Sequence, residues 1–413
     1  MPLLAPWYDF RDLSNAVERL LSWLDGVGPH WLVYVVSAVI GGVAIMTLVA
    51  VTAIANIWVE RRVVGRMQVR RGPNRAGPFG LLQPVADVIK LLQKEALTPR
   101  AGDPIVFTLA PILVFVPAIL IWGVFPFGPG MTFTDLNVGV LYIIGITSTA
   151  TIIVFMAGYS SNNKYSLLGA MRVIAMLVSY EIPMVLALLG AVLFAGTMSL
   201  TGLVQWQSDL RVWMVFLQPL GALIYLISAT AEINRTPADI AEAESEIVAG
   251  YHTEYSGMKF GLFYAVELAN SLAVCAVLTS LFFGGWWLFG LDRWIPGWLV
   301  FITKMYLLYF LLIWVRGTLP RLRIDQLMAF AWKFLLPLSL ANVFLAALEV
   351  LIWVEYDVSA GIVLPVFSVV NVAMSVGLLV AWTRLMAFRF ERLPKRPRLY
   401  RELPVQAPAS GGS

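Results

Sequence analysis

Six carboxylates crowd into residues 232–259 (EINRTPADIAEAESEIVAGYHTEYSGMK): Glu232, Asp239, Glu242, Glu244, Glu246 and Glu254. Arg235 and, at the far edge, Lys259 oppose them, and long apolar runs lie on both sides. Carboxylates held close together beside hydrocarbon disfavour their own ionisation, so their proton affinities rise and become coupled. The chemistry to expect is proton handling. Thr236-Pro237-Ala238-Asp239 has a capping residue, a proline at the first helical position and an acid at the third, which predicts a helix start there, with Gly250 as its stop. On that helix Asp239, Glu242 and Glu246 share a face and Glu244 stands nearly opposite. Like charges at that spacing repel, so helix stability alone gives no reason for them. A solvated acidic face that docks a basic partner is the plainer alternative.

Two further acids, Glu181 in RVIAMLVSYEIPMVLALLG and Glu267 in FGLFYAVELANSLAVCAVL, lie inside apolar runs. An ionisable side chain there costs roughly 2.5–3.5 kcal/mol on insertion scales and is a functional candidate by default. Pro183 frees a backbone carbonyl just past Glu181. Arg172 is more than two turns away, so no basic partner stands near Glu181 on its own helix. Glu349 and Glu355 are expected at a span end, at the membrane interface.

Basic residues form the counterpart. The stretch after Glu60-Arg61-Arg62 carries Arg66, Arg70, Arg71 and Arg75 among the turn signals Gly72-Pro73-Asn74 and Gly77-Pro78. Pro84 suits the first turn of a helix over 83–96, with Val85, Ile89, Leu92 and Ala96 on one face and Asp87, Lys90 and Lys94 on another. That pattern fits a helix bound at the lipid headgroups, or a polar wall for a ligand with a polar head. A later segment, Arg316 to Asp325, brings Arg316, Arg321, Arg323 and Asp325.

The elements that must position these groups are membrane helices. The 413-residue chain is 59% hydrophobic and 13% charged, against roughly 25% charged in soluble domains. Long apolar stretches predict nine spans, at 31–59, 104–125, 138–159, 173–196, 212–231, 260–283, 298–315, 329–353 and 361–383, each able to cross roughly 30 Å of hydrocarbon. The fold class is therefore an all-α polytopic membrane protein. An amphipathic helix at 8–25 lies within the N-terminal segment 1–30, the helical domain covers 31–383 with large inner loops at 60–103 and 232–259, and a basic, partly disordered tail occupies 384–413. Most Lys and Arg fall in alternate linkers, which predicts the N-terminus outside and the acidic loop and basic tail inside. The opening MPLLAPWYDFRDL lacks the pattern of a cleaved signal peptide. One cysteine excludes an intrachain disulfide and cysteine-ligated clusters, two histidines cannot by themselves make a metal site, and no glycine-rich phosphate loop appears.

Three stretches together, GRMQVRRGPNRAGPFGLLQPVADVIKLLQKE, AEINRTPADIAEAESEIVAGYHTEYSG and RGTLPRLRIDQLM, resemble the H subunit (the mitochondrial subunit 1) of the proton-pumping NADH–quinone oxidoreductases, respiratory complex I. The resemblance runs from about residue 31 to 355. It implies a membrane-arm subunit that docks the hydrophilic arm, builds most of a quinone tunnel and carries no redox centre, flavin, nucleotide or metal itself. Quinone, ubiquinone or menaquinone, is the implied substrate. The implied partners are peripheral quinone-site and iron–sulfur subunits on the inner face, small and antiporter-like membrane subunits laterally, and membrane lipids. No nucleic acid is implied. By that likeness Glu60, Arg61 and Arg70 line the tunnel with Asp87 and Lys90 near it, and Arg235, Arg316, Arg321, Arg323 and Asp325 flank it. Glu181, Glu232, Asp239, Glu242, Glu244, Glu246, Glu254 and Glu267 form a path that leads protons or charge away from the quinone. The membrane is expected to be a bacterial plasma membrane.

Ala238 and Ala241 stand where many relatives have Phe and Pro. Leu268 replaces a frequent aromatic hydroxyl, which predicts that Glu267 lacks a hydrogen-bond partner, and Ile324 replaces a frequent Tyr. Other readings are the ion-translocating subunit of an energy-converting hydrogenase, a stand-alone proton transporter, and a structural anchor that would leave Glu181 and Glu267 unexplained.

Overall fold

A computed structural model describes residues 30–240, 249–290, 295–356 and 360–392. The expected amphipathic helix at 8–25, the acids Glu242, Glu244 and Glu246, and the end of the basic tail lie outside the described residues.

Helices are α1 (His30–Met67), α2 (Gln83–Gln93), α3 (Pro104–Leu120), α4 (Gly139–Ser160), α5 (Lys164–Ala195), α6 (Leu200–Leu210), α7 (Met214–Leu217), α8 (Pro219–Glu232), α9 (Gly257–Phe282), α10 (Gly297–Thr318), α11 (Ile324–Phe330), α12 (Leu336–Tyr356) and α13 (Ala360–Arg392). One π-helical turn, Ala331–Leu335, joins α11 to α12. Among the described residues eight helices are long and apolar enough to cross a membrane, with α11 and α12 counted as one. The segment expected to span at 212–231 differs. It is the pair α7 and α8, and α8 has only 14 residues, about 21 Å of rise. Pro219 lacks an N–H and pushes the residue before it out of the helical region. Gln218 accordingly sits at φ −132° and ψ 63° between the two helices.

Local chemistry sets the other ends. Asp103 accepts from the amides of Ile105 and Val106 to start α3, with Pro104 in its first turn. Asn163 caps α5 and Ser199 caps α6 in the same way. The first span was expected to end at residue 59, but α1 continues to Met67. Charge at Glu60, Arg61 and Arg62 ends the apolar stretch, not the backbone hydrogen bonding.

The core lies where α9 runs through the bundle against α3, α5, α8 and α10. Leu268, Leu272, Cys275, Ala276, Leu281 and Phe282 of α9 are all buried. α1 is peripheral. It exposes Val35, Val39, Val43, Met46 and Val51 and buries a helical stripe of Val49, Ala53, Asn56 and Glu60.

The side opposite the acidic loop is closed by one ammonium group. Lys304 of α10 donates to the carbonyls of Phe283 (2.7 Å), Gly285 (3.0 Å) and Trp287 (2.5 Å) just past the end of α9. It also lies 4.9 Å from the centre of the Trp213 ring. A cation there satisfies the cap carbonyl and two carbonyls of the following loop, and it complements the negative pole of the helix.

Candidate functional site

The buried end of α1 carries the centre of the site. Glu60, 5% exposed, accepts from Arg235 Nη1 at 2.5 Å, from Arg316 Nη1 and from the Tyr309 hydroxyl at 3.3 Å. Arg235, itself 6% exposed, places its Nε 3.0 Å from Oε1 of Glu267 on α9. One guanidinium thus holds two carboxylates from two helices. Glu267, expected to lack a hydrogen-bond partner, has an ion-pair partner in Arg235. Two cations and two anions so arranged leave no net charge, which is what allows them to be buried.

Arg235 reaches this place because the chain folds back under α8. Asn234 takes the left-handed conformation (φ 52°), which asparagine tolerates better than most residues. The Arg235 amide then donates to the Thr230 carbonyl, and the Arg235 carbonyl accepts from Ala238.

The next residues depart from expectation. No helix starts at Thr236: residues 236–240 form a turn with a cis Thr236–Pro237 bond. Two contacts hold this turn to the last inner loop. Arg321 Nη2 lies 3.0 Å from Oδ2 of Asp239, and the Leu322 amide donates to the Pro237 carbonyl at 3.0 Å. Asp239 is therefore an ion-pair partner here and not a first-turn acid.

Glu181, Glu232 and Glu267 line one cavity of about 100 Å³ between α4, α5, α8 and α9. Its polar wall also includes Thr147, Ser148, Asn234 and Asn270. The Ser148 hydroxyl donates to Glu181 Oε1, while the Thr147 hydroxyl, on the same wall as Glu232, donates to the Ile144 carbonyl. The Oδ1 atoms of Asn234 and Asn270 are buried without a hydrogen-bond partner among the described residues. A polar cavity of this size holds on the order of three waters. Sequence reasoning passes over Thr147, Ser148, Asn270 and Tyr309. The adjacent hydroxyls of Thr147 and Ser148 in an apolar span were the available signal.

The other expected residues lie elsewhere. Arg61 pairs with Asp87 at 2.6 Å and Lys90 lies 3.9 Å from the same carboxylate, but Arg61 and Lys90 are largely exposed. Such pairs contribute about 0–1 kcal/mol and serve mainly to set α2 against the end of α1. Arg70 bonds Gln68 at the surface, and Arg323 and Asp325 are exposed at the start of α11. Glu254 accepts from Asn163 at the corner of α4 and α5 and does not line the cavity.

His252 lies in the turn that closes the acidic loop, its ring packed on Tyr251, Phe260 and Phe263. Burial pushes its pKa down to about 3, from about 6.5 in an unfolded chain. Between those values the unfolded chain binds a proton that the folded chain does not, so stability falls as pH falls from about 6.5 toward 3. His252→Phe should flatten that part of the profile of melting temperature against pH of the detergent-solubilised complex. An unchanged slope would mean that His252 is not held neutral.

Residues 40–347 match the NADH dehydrogenase family. The chain is 52% identical over 357 residues to the NADH-quinone oxidoreductase H subunit of Dehalococcoides mccartyi strain CBDB1, covering 86% of this chain and 95% of that one. It is 46% identical over 336 residues to the H subunit of Carboxydothermus hydrogenoformans (79% and 93%) and 50% identical over 307 residues to that of Geobacillus kaustophilus (74% and 92%). With a match of that length and identity, on a bundle of membrane-spanning helices, the chain belongs to the H-subunit family of the NADH-quinone oxidoreductases.

Proposed function

We propose that this chain forms the quinone-access tunnel of its complex and couples quinone reduction to proton translocation through buried carboxylates. The observation that carries the reading is Arg235, which holds Glu60 of the tunnel set and Glu267 of the relay set at once. Reducing a quinone consumes two electrons and two protons, so negative charge arises transiently beside Glu60 and the arginines around it. The charge draws Arg235 toward the quinone side and loosens its hold on Glu267, whose proton affinity then rises. Glu181 and Glu232, on the same cavity, take up the disturbance through water. Asp239, Glu242, Glu244, Glu246 and Glu254 extend the route along the loop. Arg61, Arg70, Asp87, Lys90, Arg323 and Asp325 form the exposed rim where peripheral quinone-site and iron–sulfur subunits dock. Small and antiporter-like membrane subunits lie alongside, and the loops face the cytoplasm of a bacterium.

Glu267→Gln in the assembled complex tests this. Quinone reduction and proton pumping in sealed vesicles should fall together, by about tenfold if the lost interaction supplies ~1.4 kcal/mol. Assembly and NADH oxidation by an artificial acceptor should persist. Normal turnover with normal pumping would remove the relay from this carboxylate.

A further inference from the structure

Glu349 was expected at the membrane interface. It is instead 7% exposed on α12, seven residues before the end of that helix at Tyr356, about 10 Å of rise. The family match stops at residue 347, and α13 lies wholly beyond it. From α13, Asn371 Nδ2 donates to Glu349 Oε2 at 2.7 Å. Glu349 Oε1 is buried and has no hydrogen-bond partner among the described residues.

Two more buried polar atoms stand unpartnered on the same face of α12 and on the elements packed against it. Asn342, two turns back on the same face of α12 with the small Ala346 between, is 6% exposed, and its Nδ2 makes no hydrogen bond among the described residues. Gln218, at the break between α7 and α8, is 3% exposed, with Oε1 in the same condition. Both atoms converge on Gly221, where an added Cβ would lie 3.1 Å from Gln218 Oε1 and 3.2 Å from Asn342 Nδ2. Buried polar atoms left over in this way ordinarily bind water.

Among the described residues no basic side chain forms an ion pair with Glu349. On the elements packed around it, Lys164, Arg172, Lys333 and Arg384 stand toward the loop-side ends of their helices, and Glu181 and Glu232 line the loop-side cavity. Asp209 and Arg211 at the end of α6 and Glu355 at the end of α12 stand in the opposite half. A lone carboxylate with one neutral donor is poorly stabilised in hydrocarbon, whereas the protonated acid carries no charge to bury. Its O–H is a donor that needs an acceptor, which a water can supply, and Oε2 keeps the bond from Asn371.

We propose that Glu349 is a proton-binding site in the half of the bundle away from the acidic loop. It is protonated at rest and exchanges its proton with water held by Asn342 and Gln218. The step is the reversible loss of H⁺ from the carboxyl O–H to that water. This site does not depend on the quinone reading, and its test uses no turnover.

Infrared spectra of the purified complex at neutral pH should contain a carboxylic C=O band that Glu349→Gln loses. Asn371→Leu should keep that band and move it to higher wavenumber, because the hydrogen bond to Oε2 is gone. Transfer to D₂O should shift it downward. Should the glutamine variant fail to assemble, Glu349→Asp retains a carboxyl and should show a displaced band. No band lost in Glu349→Gln, or none displaced in the aspartate variant, would mean that Glu349 is ionised and would overturn the proposal. A band that ignores D₂O would mean a sealed, non-exchanging acid and would overturn it equally.

Discussion

Arg235→Leu should abolish most quinone reduction and lower the amount of assembled complex. The substitution removes the cation that Glu60 and Glu267 share and leaves both carboxylates in an interior arranged around it. Breaking a buried ion pair by deleting one partner costs about 3–5 kcal/mol, and each ~1.4 kcal/mol is a factor of ten in a population. The competent fraction should therefore fall by about a hundredfold or more. Arg316 and Tyr309 still reach Glu60, so the damage should centre on Glu267. Arg235→Lys separates charge from geometry. A lysine keeps the charge but cannot present Nε and Nη1 to two acceptors at once, so it should assemble and still reduce quinone slowly. Complex content on a native gel and inhibitor-sensitive NADH:quinone reductase activity read the two effects. A leucine variant that assembles and turns over normally would remove the basis of the functional reading.

Gly80→Ala should be nearly as damaging, through the backbone. Gly80 sits at φ +76°, and a Cβ there would lie 2.3 Å from the Pro73 carbonyl oxygen and 2.8 Å from the Asn74 nitrogen. The left-handed conformation alone costs an alanine roughly 1–2 kcal/mol, and a backbone clash cannot be relieved by rotating a side chain. The turn must open. That turn places Phe79 under the Arg62 guanidinium, 5.3 Å from the ring centre, and puts the Phe79 carbonyl within reach of Trp58 and Arg62. Membrane insertion should be normal, quinone reduction should be lost, and trypsin should cut faster at Arg70, Arg71 and Arg75. Unchanged proteolysis would show that the turn tolerates the methyl group.

The acids of the cavity were legible in sequence because a charge in an apolar run has few structural excuses. Glu181 and Glu267 stand out for that reason. Thr147 and Ser148, which share the cavity wall with Glu232 and Glu181, do not, since hydroxyls barely alter hydropathy. Nor does sequence show that Arg235 faces two carboxylates 175 and 32 residues away, because neither separation reflects a local period. Hydropathy also mistook the edge of the apolar stretch for the end of α1 and read through the break at Gln218–Pro219. Glu349 looked peripheral because Glu355 and Tyr356 follow closely, and its burial depends on α13, which no local pattern ties to it.

The hold of Lys304 on three carbonyls has a mechanical meaning. It fastens the end of α9 to α10 on one side of the membrane with contacts that no titration of the acidic loop touches. On the other side, the same two helices are joined through Glu60, Arg235, Glu267 and Arg316, whose balance changes with any nearby charge. α9 is thus a rod pinned at one end and electrically sprung at the other. In the proposed coupling, charge appearing near Arg235 would displace α9 on the loop side, with the opposite face of the bundle as the fulcrum.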